Sequence, residues 1–275
     1  MLNYMIPPSS SYVAMGSSYA AGPGILPVEH WGALRSGRNY PHQVAQALSL
    51  RLTDVTCSGA TTSNILTTPQ RTLSGTLPPQ IDAVTPDTRL VTITAGGNDA
   101  GYIGALTKIS IVNAVLRRVP SIPPQAAGRL HSWAGAVPAA GQFDAVAGSL
   151  TRVVETVRGQ APQARIVLVD YLSVLGPEAT GHGRLPLADD EAQQFIDAAA
   201  GLAAAFERAA TATGAGLVRA SAASAGHEAG SADPWVTGLR FGIPFTGGPV
   251  PYHPTLAGMS AVARLVIDHL YSADS

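Results

Sequence analysis

Only one cysteine, Cys57, occurs in the 275 residues, which excludes an intramolecular disulfide. With no Cys-x-x-Cys spacing and no Cys/His cluster, nothing points to a structural zinc site, so the fold is expected to rest on its hydrophobic core. Charge is sparse and balanced: 17 Lys and Arg against 18 Asp and Glu leave a formal net charge of -1. Without a basic cluster there is no electrostatic footprint for phosphate backbones or anionic lipid, and nucleic acid and membrane surface are set aside as partners. No run reaches the ~18 apolar residues of a membrane span, so no integral membrane association is expected. The opening Met1-Leu2-Asn3-Tyr4-Met5-Ile6-Pro7-Pro8 carries neither a basic leader nor an uninterrupted apolar stretch. Two locations fit it, the cytoplasm or, for a mature form already freed of an export signal, the exterior. Repeats, linkers and low-complexity tails are missing as well.

Short apolar runs of β type alternate with longer helical patterns, the signature of a parallel sheet wrapped by helices. The runs are Tyr12-Val13-Ala14-Met15, Leu52-Thr53-Asp54-Val55-Thr56, Leu90-Val91-Thr92-Ile93-Thr94, Ile166-Val167-Leu168-Val169 and Gly216-Leu217-Val218. The third and fourth are continuous, as expected of strands covered on both faces. Met259, Val262, Ala263, Val266, Ile267 and Leu270 form a helical stripe after Pro254. A second helix is predicted from the acidic start Asp189-Asp190-Glu191 to Thr213-Gly214, and a third from about Phe143 to Val157. Between residues 101 and 141, Pro120, Pro123, Pro124 and Pro138 interrupt the pattern. This segment reads as an insertion over one sheet edge, either a lid or cleft wall or a satellite of the core. The expectation is one α/β domain over residues 1–275, a monomer, with the insertion at 101–141.

In open α/β sheets the sites gather at the carboxyl ends of the strands. Three loops there are unusual: Gly16-Ser17-Ser18 after the first run, Cys57-Ser58-Gly59-Ala60 after the second, and Gly96-Gly97-Asn98-Asp99 after the third. Each sets glycine beside a hydroxyl or amide. A serine on such a turn becomes a nucleophile if a base lies within reach, and backbone N–H groups with an Asn amide bind the oxyanion that forms. Of the seven histidines, His253 in Pro251-Tyr252-His253-Pro254 is the best placed base. His30, His42, His131, His182, His227 and His269 read as incidental. Cys57 reads as a small buried hydrophobe.

The ordered set Gly16-Ser17-Ser18, Gly59, Gly96-Gly97-Asn98-Asp99 and His253-Pro254 resembles the four blocks of the SGNH hydrolases, the GDSL-type esterases and lipases. The resemblance spans residues 11 to about 270. It implies a single-domain three-layer α/β/α fold on a five-stranded parallel flavodoxin-like sheet, and serine ester hydrolysis with no metal or organic cofactor. Carried onto matching positions, it makes Ser18 the nucleophile, His253 the base, and Ser18, Gly59 and Asn98 the oxyanion hole. Residues 231–236 and the Thr56-to-Thr61 block look most like the actinobacterial secreted esterase and phospholipase branch, whose members commonly carry disulfides that this chain lacks.

Two positions depart from the family pattern. Ser17 stands where an Asp normally precedes the serine, and Val250 stands where the usual Asp-x-x-His has its acid. A main-chain carbonyl can fix the histidine tautomer in place of the acid. The Val250 carbonyl is the expected acceptor, with the Pro251 carbonyl and the carboxylates of Asp233 and Asp99 as alternatives. The leading reading is hydrolysis of a small-molecule carboxylic ester of acyl-chain type. A carbohydrate acetyl esterase, a thioesterase and a non-catalytic ligand binder stand as alternatives.

Overall fold

The computed structural model describes residues 6–176, 185–242 and 247–272; His182 lies outside them. Five strands form the central sheet: β1 (Ser11–Gly16), β2 (Arg51–Asp54), β3 (Thr88–Thr94), β4 (Arg165–Val169) and β5 (Gly216–Val218). All are parallel, in the order β2-β1-β3-β4-β5. This is the flavodoxin-like order, in which the chain moves outward from β1 to β2 and then crosses back to β3 on the other flank of β1. The crevice at that reversal lies between the carboxyl ends of β1 and β3, where the Ser17-Ser18 and Gly96-Gly97-Asn98 segments emerge.

Burial follows the sequence pattern. Leu90, Val91 and Ile93 on β3 and Val167 and Leu168 on β4 are fully buried, whereas the edge strand β2 alternates. Each such aliphatic side chain contributes about 1.5–3 kcal/mol by leaving water. One layer of helices comprises α6 (Ala140–Gln160) and α7 (Asp189–Thr213), packed on each other and on β4. The other pairs α2 (Tyr40–Leu48) with α9 (Leu256–Ser272). Helix α9 buries Met259, Val262, Ala263, Val266 and Leu270, the predicted stripe, and Thr255 caps it through Oγ1, which accepts from the Gly258 N–H at 3.1 Å.

Five further helices connect these layers among the described residues. They are α1 (Ser18–Ala21), α3 (Thr62–Leu66), α4 (Tyr102–Arg118), α5 (Pro124–Ala134) and α8 (Ala220–Ala223). Two antiparallel hairpins, Val28–His30 with Arg35–Ser36 and Gln70–Thr72 with Gly75–Leu77, flank the β2 side. The irregular stretch expected from 101 to 141 is therefore mostly helical. Pro124 opens α5 at a position where a missing N–H costs nothing, so the prolines separate two helices. Among the described residues no helix is long and apolar enough to cross a membrane.

Candidate active site

The first loop is built by backbone bonds across the sheet. Ser17 N–H donates to the Thr94 carbonyl at 2.8 Å, which carries the end of β1 against the end of β3. The Gly16 peptide is clamped by buried Gln80, which accepts the Gly16 N–H at 2.7 Å and donates to the Gly16 carbonyl at 3.0 Å. The Cys57 N–H reaches the same carbonyl at 3.0 Å, so the second loop is tied to the first. Ser18 then opens α1 and keeps only 7% of its surface exposed. Among the described residues its backbone N–H has no acceptor.

The second loop turns tightly, with Ser58 N–H on the Ala33 carbonyl at 2.9 Å and Ala60 N–H on the Cys57 carbonyl at 3.0 Å. Gly59 between them has φ +82°, a conformation that favours glycine, and its N–H is likewise without an acceptor among the described residues. Asn98 on the third loop donates through Nδ2 to the Ala60 carbonyl at 2.8 Å. That bond uses one amide hydrogen and leaves the other to give. The loops of Ser18, Gly59 and Asn98 are thus stitched together, each with a donor in hand. Cys57 is buried and its thiol is pushed up to about 11 by burial, so it stays protonated.

His253 arrives from the far end of the chain. Its Nδ1 lies 2.7 Å from the Pro251 carbonyl, which corrects the assignment of that role to Val250. The Val250 carbonyl is already taken by the Thr237 hydroxyl at 2.5 Å and by the His253 backbone N–H at 3.2 Å. The reason is local geometry: the turn closes on Val250, and Tyr252 at φ +58° brings the ring back over the next carbonyl. Asp233 instead faces His227, whose Nδ1 lies 3.3 Å from its carboxylate, and Asp99 accepts from the Thr62 N–H and hydroxyl. Among the described residues, then, no carboxylate bonds the His253 ring. Burial lowers its pKa, and the Pro251 carbonyl opposes that only in part.

Tyr19 joins the first and last parts. Its hydroxyl donates to the Tyr252 carbonyl at 2.6 Å, and its ring lies 5.7 Å from the His253 ring, centroid to centroid. Tyr252 is held in turn, its hydroxyl 2.7 Å from Ser110 Oγ on α4. Sequence reasoning missed Gln80, Tyr19 and Tyr252 as supports, because their partners lie 64, 233 and 142 residues away.

Two further features lie apart from the three loops. One is a groove of about 1010 Å³ walled by Ile111, Val115, Leu239 and Phe241 together with Arg117, Arg118 and Arg240, and reaching Thr237, whose N–H holds the His253 carbonyl at 2.9 Å. The other is the group Glu29, His42 and Asp54, whose side-chain atoms gather closely enough to hold a cation. Arg35 already lies 3.7 Å from Glu29 and 3.8 Å from Asp54, and Asn39 and Thr56 donate to Asp54, so both carboxylates already have partners within the protein.

Comparison with known proteins agrees with this fold. The GDSL-like Lipase/Acylhydrolase family model matches residues 14–261. "Lipase 2" of Streptomyces coelicolor is 34% identical over 273 residues, covering 96% of this chain and 86% of that protein. The solved structure of phospholipase A1 from Streptomyces albidoflavus NA297 superposes with a TM-score of 0.71 at 27% identity, over 95% of this chain and 99% of that one. The extracellular lipase from Streptomyces rimosus gives a TM-score of 0.68 at 25% identity, over 94% and 99%. The sheet order, the loops at its reversal point and these likenesses converge: the chain belongs to the GDSL-like lipase/acylhydrolase family of SGNH hydrolases, in its actinobacterial branch, and is a carboxylic ester hydrolase.

Proposed function

We propose that the chain hydrolyses acyl-chain esters through an acyl-enzyme on Ser18, with His253 as general base and the Ser18 N–H, the Gly59 N–H and Asn98 Nδ2 as oxyanion donors. The observation that carries this reading is the 2.7 Å bond between His253 Nδ1 and the Pro251 carbonyl. A carbonyl can only accept, so Nδ1 holds the proton and the lone pair resides on Nε2. That is the tautomer a serine base requires, reached without a carboxylate.

Ser18 Oγ attacks the ester carbonyl as Nε2 takes its proton. The carbonyl oxygen becomes the oxyanion, and the imidazolium returns the proton to the departing alkoxide. Water then enters, His253 removes its proton, and the acyl group leaves as the acid, restoring Ser18. Each oxyanion donor is worth on the order of 10²–10³ in rate. Among the described residues the imidazolium has the Pro251 dipole on Nδ1 and no carboxylate bonded to its ring, in keeping with a base whose pKa burial holds low.

The names lipase and phospholipase A1 borne by relatives support an acyl chain in the substrate, and so do the apolar side chains Ile111, Val115, Leu239 and Phe241 that share the groove beside Thr237 with Arg117, Arg118 and Arg240. A p-nitrophenyl ester series from acetate to palmitate tests both parts. The expected profile peaks beyond acetate and disappears in Ser18→Ala. A peak at acetate contradicts the acyl-chain preference, and undiminished hydrolysis by Ser18→Ala contradicts the mechanism.

A further inference from the structure

Tyr171 lies just beyond the end of β4 and is buried, at a place that no sequence motif singles out. Its hydroxyl oxygen is 2.8 Å from Ser17 Oγ and 3.1 Å from the Gly97 nitrogen. Ser17 immediately precedes Ser18, and Gly97 immediately precedes Asn98. One phenol oxygen therefore touches the neighbour of the nucleophile and the neighbour of the oxyanion amide.

The direction of these bonds follows from the atoms. Gly97 N–H can only donate, so the Tyr171 oxygen accepts there and its own hydrogen is available to Ser17 Oγ. The ring is fixed by Tyr19 at 4.6 Å and by an edge contact with Phe206 at 6.1 Å, centroid to centroid. A Cβ on residue 97 would lie 2.8 Å from the Tyr171 ring, so the close approach requires glycine there. Burial pushes the Tyr171 phenol up to about 12, and it stays protonated at any working pH.

We propose that Tyr171 is a positioning residue for ester hydrolysis, its hydroxyl pinning the Ser18 turn to the Asn98 turn through Ser17 and Gly97. The inference rests on the reading of Ser18 and Asn98 given above. Ser17, the residue that departs from the family's usual Asp, is the partner of this phenol rather than an idle replacement. A misplacement of about 1 Å between reacting groups costs on the order of 10²-fold in rate, so a pin at this joint acts on turnover rather than on substrate affinity.

Tyr171→Phe keeps the ring and removes the oxygen. Its kcat is expected to fall about 10- to 100-fold with KM within about twofold of wild type. Phosphorylation of Ser18 by diethyl p-nitrophenyl phosphate is expected to slow in proportion, while the thermal midpoint drops by only a few degrees (~2–4 °C). Ser17→Ala, which removes a single arm of the pin, is expected to lose about tenfold in kcat and decides the matter if Tyr171→Phe fails to fold. The double variant should be no slower than Tyr171→Phe alone; fully multiplicative losses would mean that the two hydroxyls act separately, and would overturn the pin. Unchanged kcat, or a loss confined to KM, in folded Tyr171→Phe overturns it as well. A wild type that takes no phosphoryl group on Ser18 overturns the underlying reading of Ser18 together with the pin, whereas a labelled wild type matched by Tyr171→Phe overturns the pin alone.

Discussion

His253 is held by a main-chain carbonyl, and this has a consequence for pH. Protonated imidazole cannot accept the serine proton, so kcat/KM rises as pH climbs through the His253 pKa. Burial places that pKa below the ordinary value of about 6.5. The acid limb of the pH–rate profile is therefore expected below pH ~6.5, and a limb above it would mean that a carboxylate faces the ring. Asp233→Asn should leave the whole profile within about twofold of wild type, because Asp233 faces His227. A thousand-fold loss of kcat in that variant would make Asp233 the triad acid. At this scale the sequence offers the groups proposed to react but not what orients the histidine among them. Ser18, Gly59, Asn98 and His253 stand out by residue type in the loops at the strand ends and before the last helix, whereas every residue carries a carbonyl, so nothing in the letters distinguishes Pro251 from Val250.

The turns of the site are elements held from outside. Gln80 sits in a 3-10 turn, Gln80–Ala83, and matches both polar groups of the Gly16 peptide. Gln80→Leu leaves the Gly16 N–H buried without an acceptor and is expected to cost about 2 kcal/mol by chemical denaturation, with a parallel fall in kcat. A variant with unchanged stability would show that the clamp does not hold the turn. Among the larger elements, the stripes of α7 and α9 and the runs of β3 and β4 were readable because burial repeats with the period of the element. Helix α2 went unnoticed although Asn39 caps it by accepting the His42 N–H at 3.1 Å and a proline follows in its first turn. The two hairpins are too short, at two or three residues a strand, for alternation to register.

Across the whole molecule, the order β2-β1-β3-β4-β5 converts three separated loops into one crevice and lets α9 deliver the His253 turn to it. The residues that weld the crevice, Gln80, Tyr19, Tyr252 and Tyr171, act across 64 to 233 positions, and local pattern carries no trace of such pairings. The central claim is that Ser18 is a nucleophile activated by His253. It is tested most directly by exposing the wild type and His253→Gln to diethyl p-nitrophenyl phosphate and following the label by intact mass and peptide mapping. The account predicts one phosphoryl group per chain, on Ser18, forming at least about a thousand times more slowly in His253→Gln. A wild type that takes no label, takes it elsewhere, or reacts no faster than His253→Gln would contradict it.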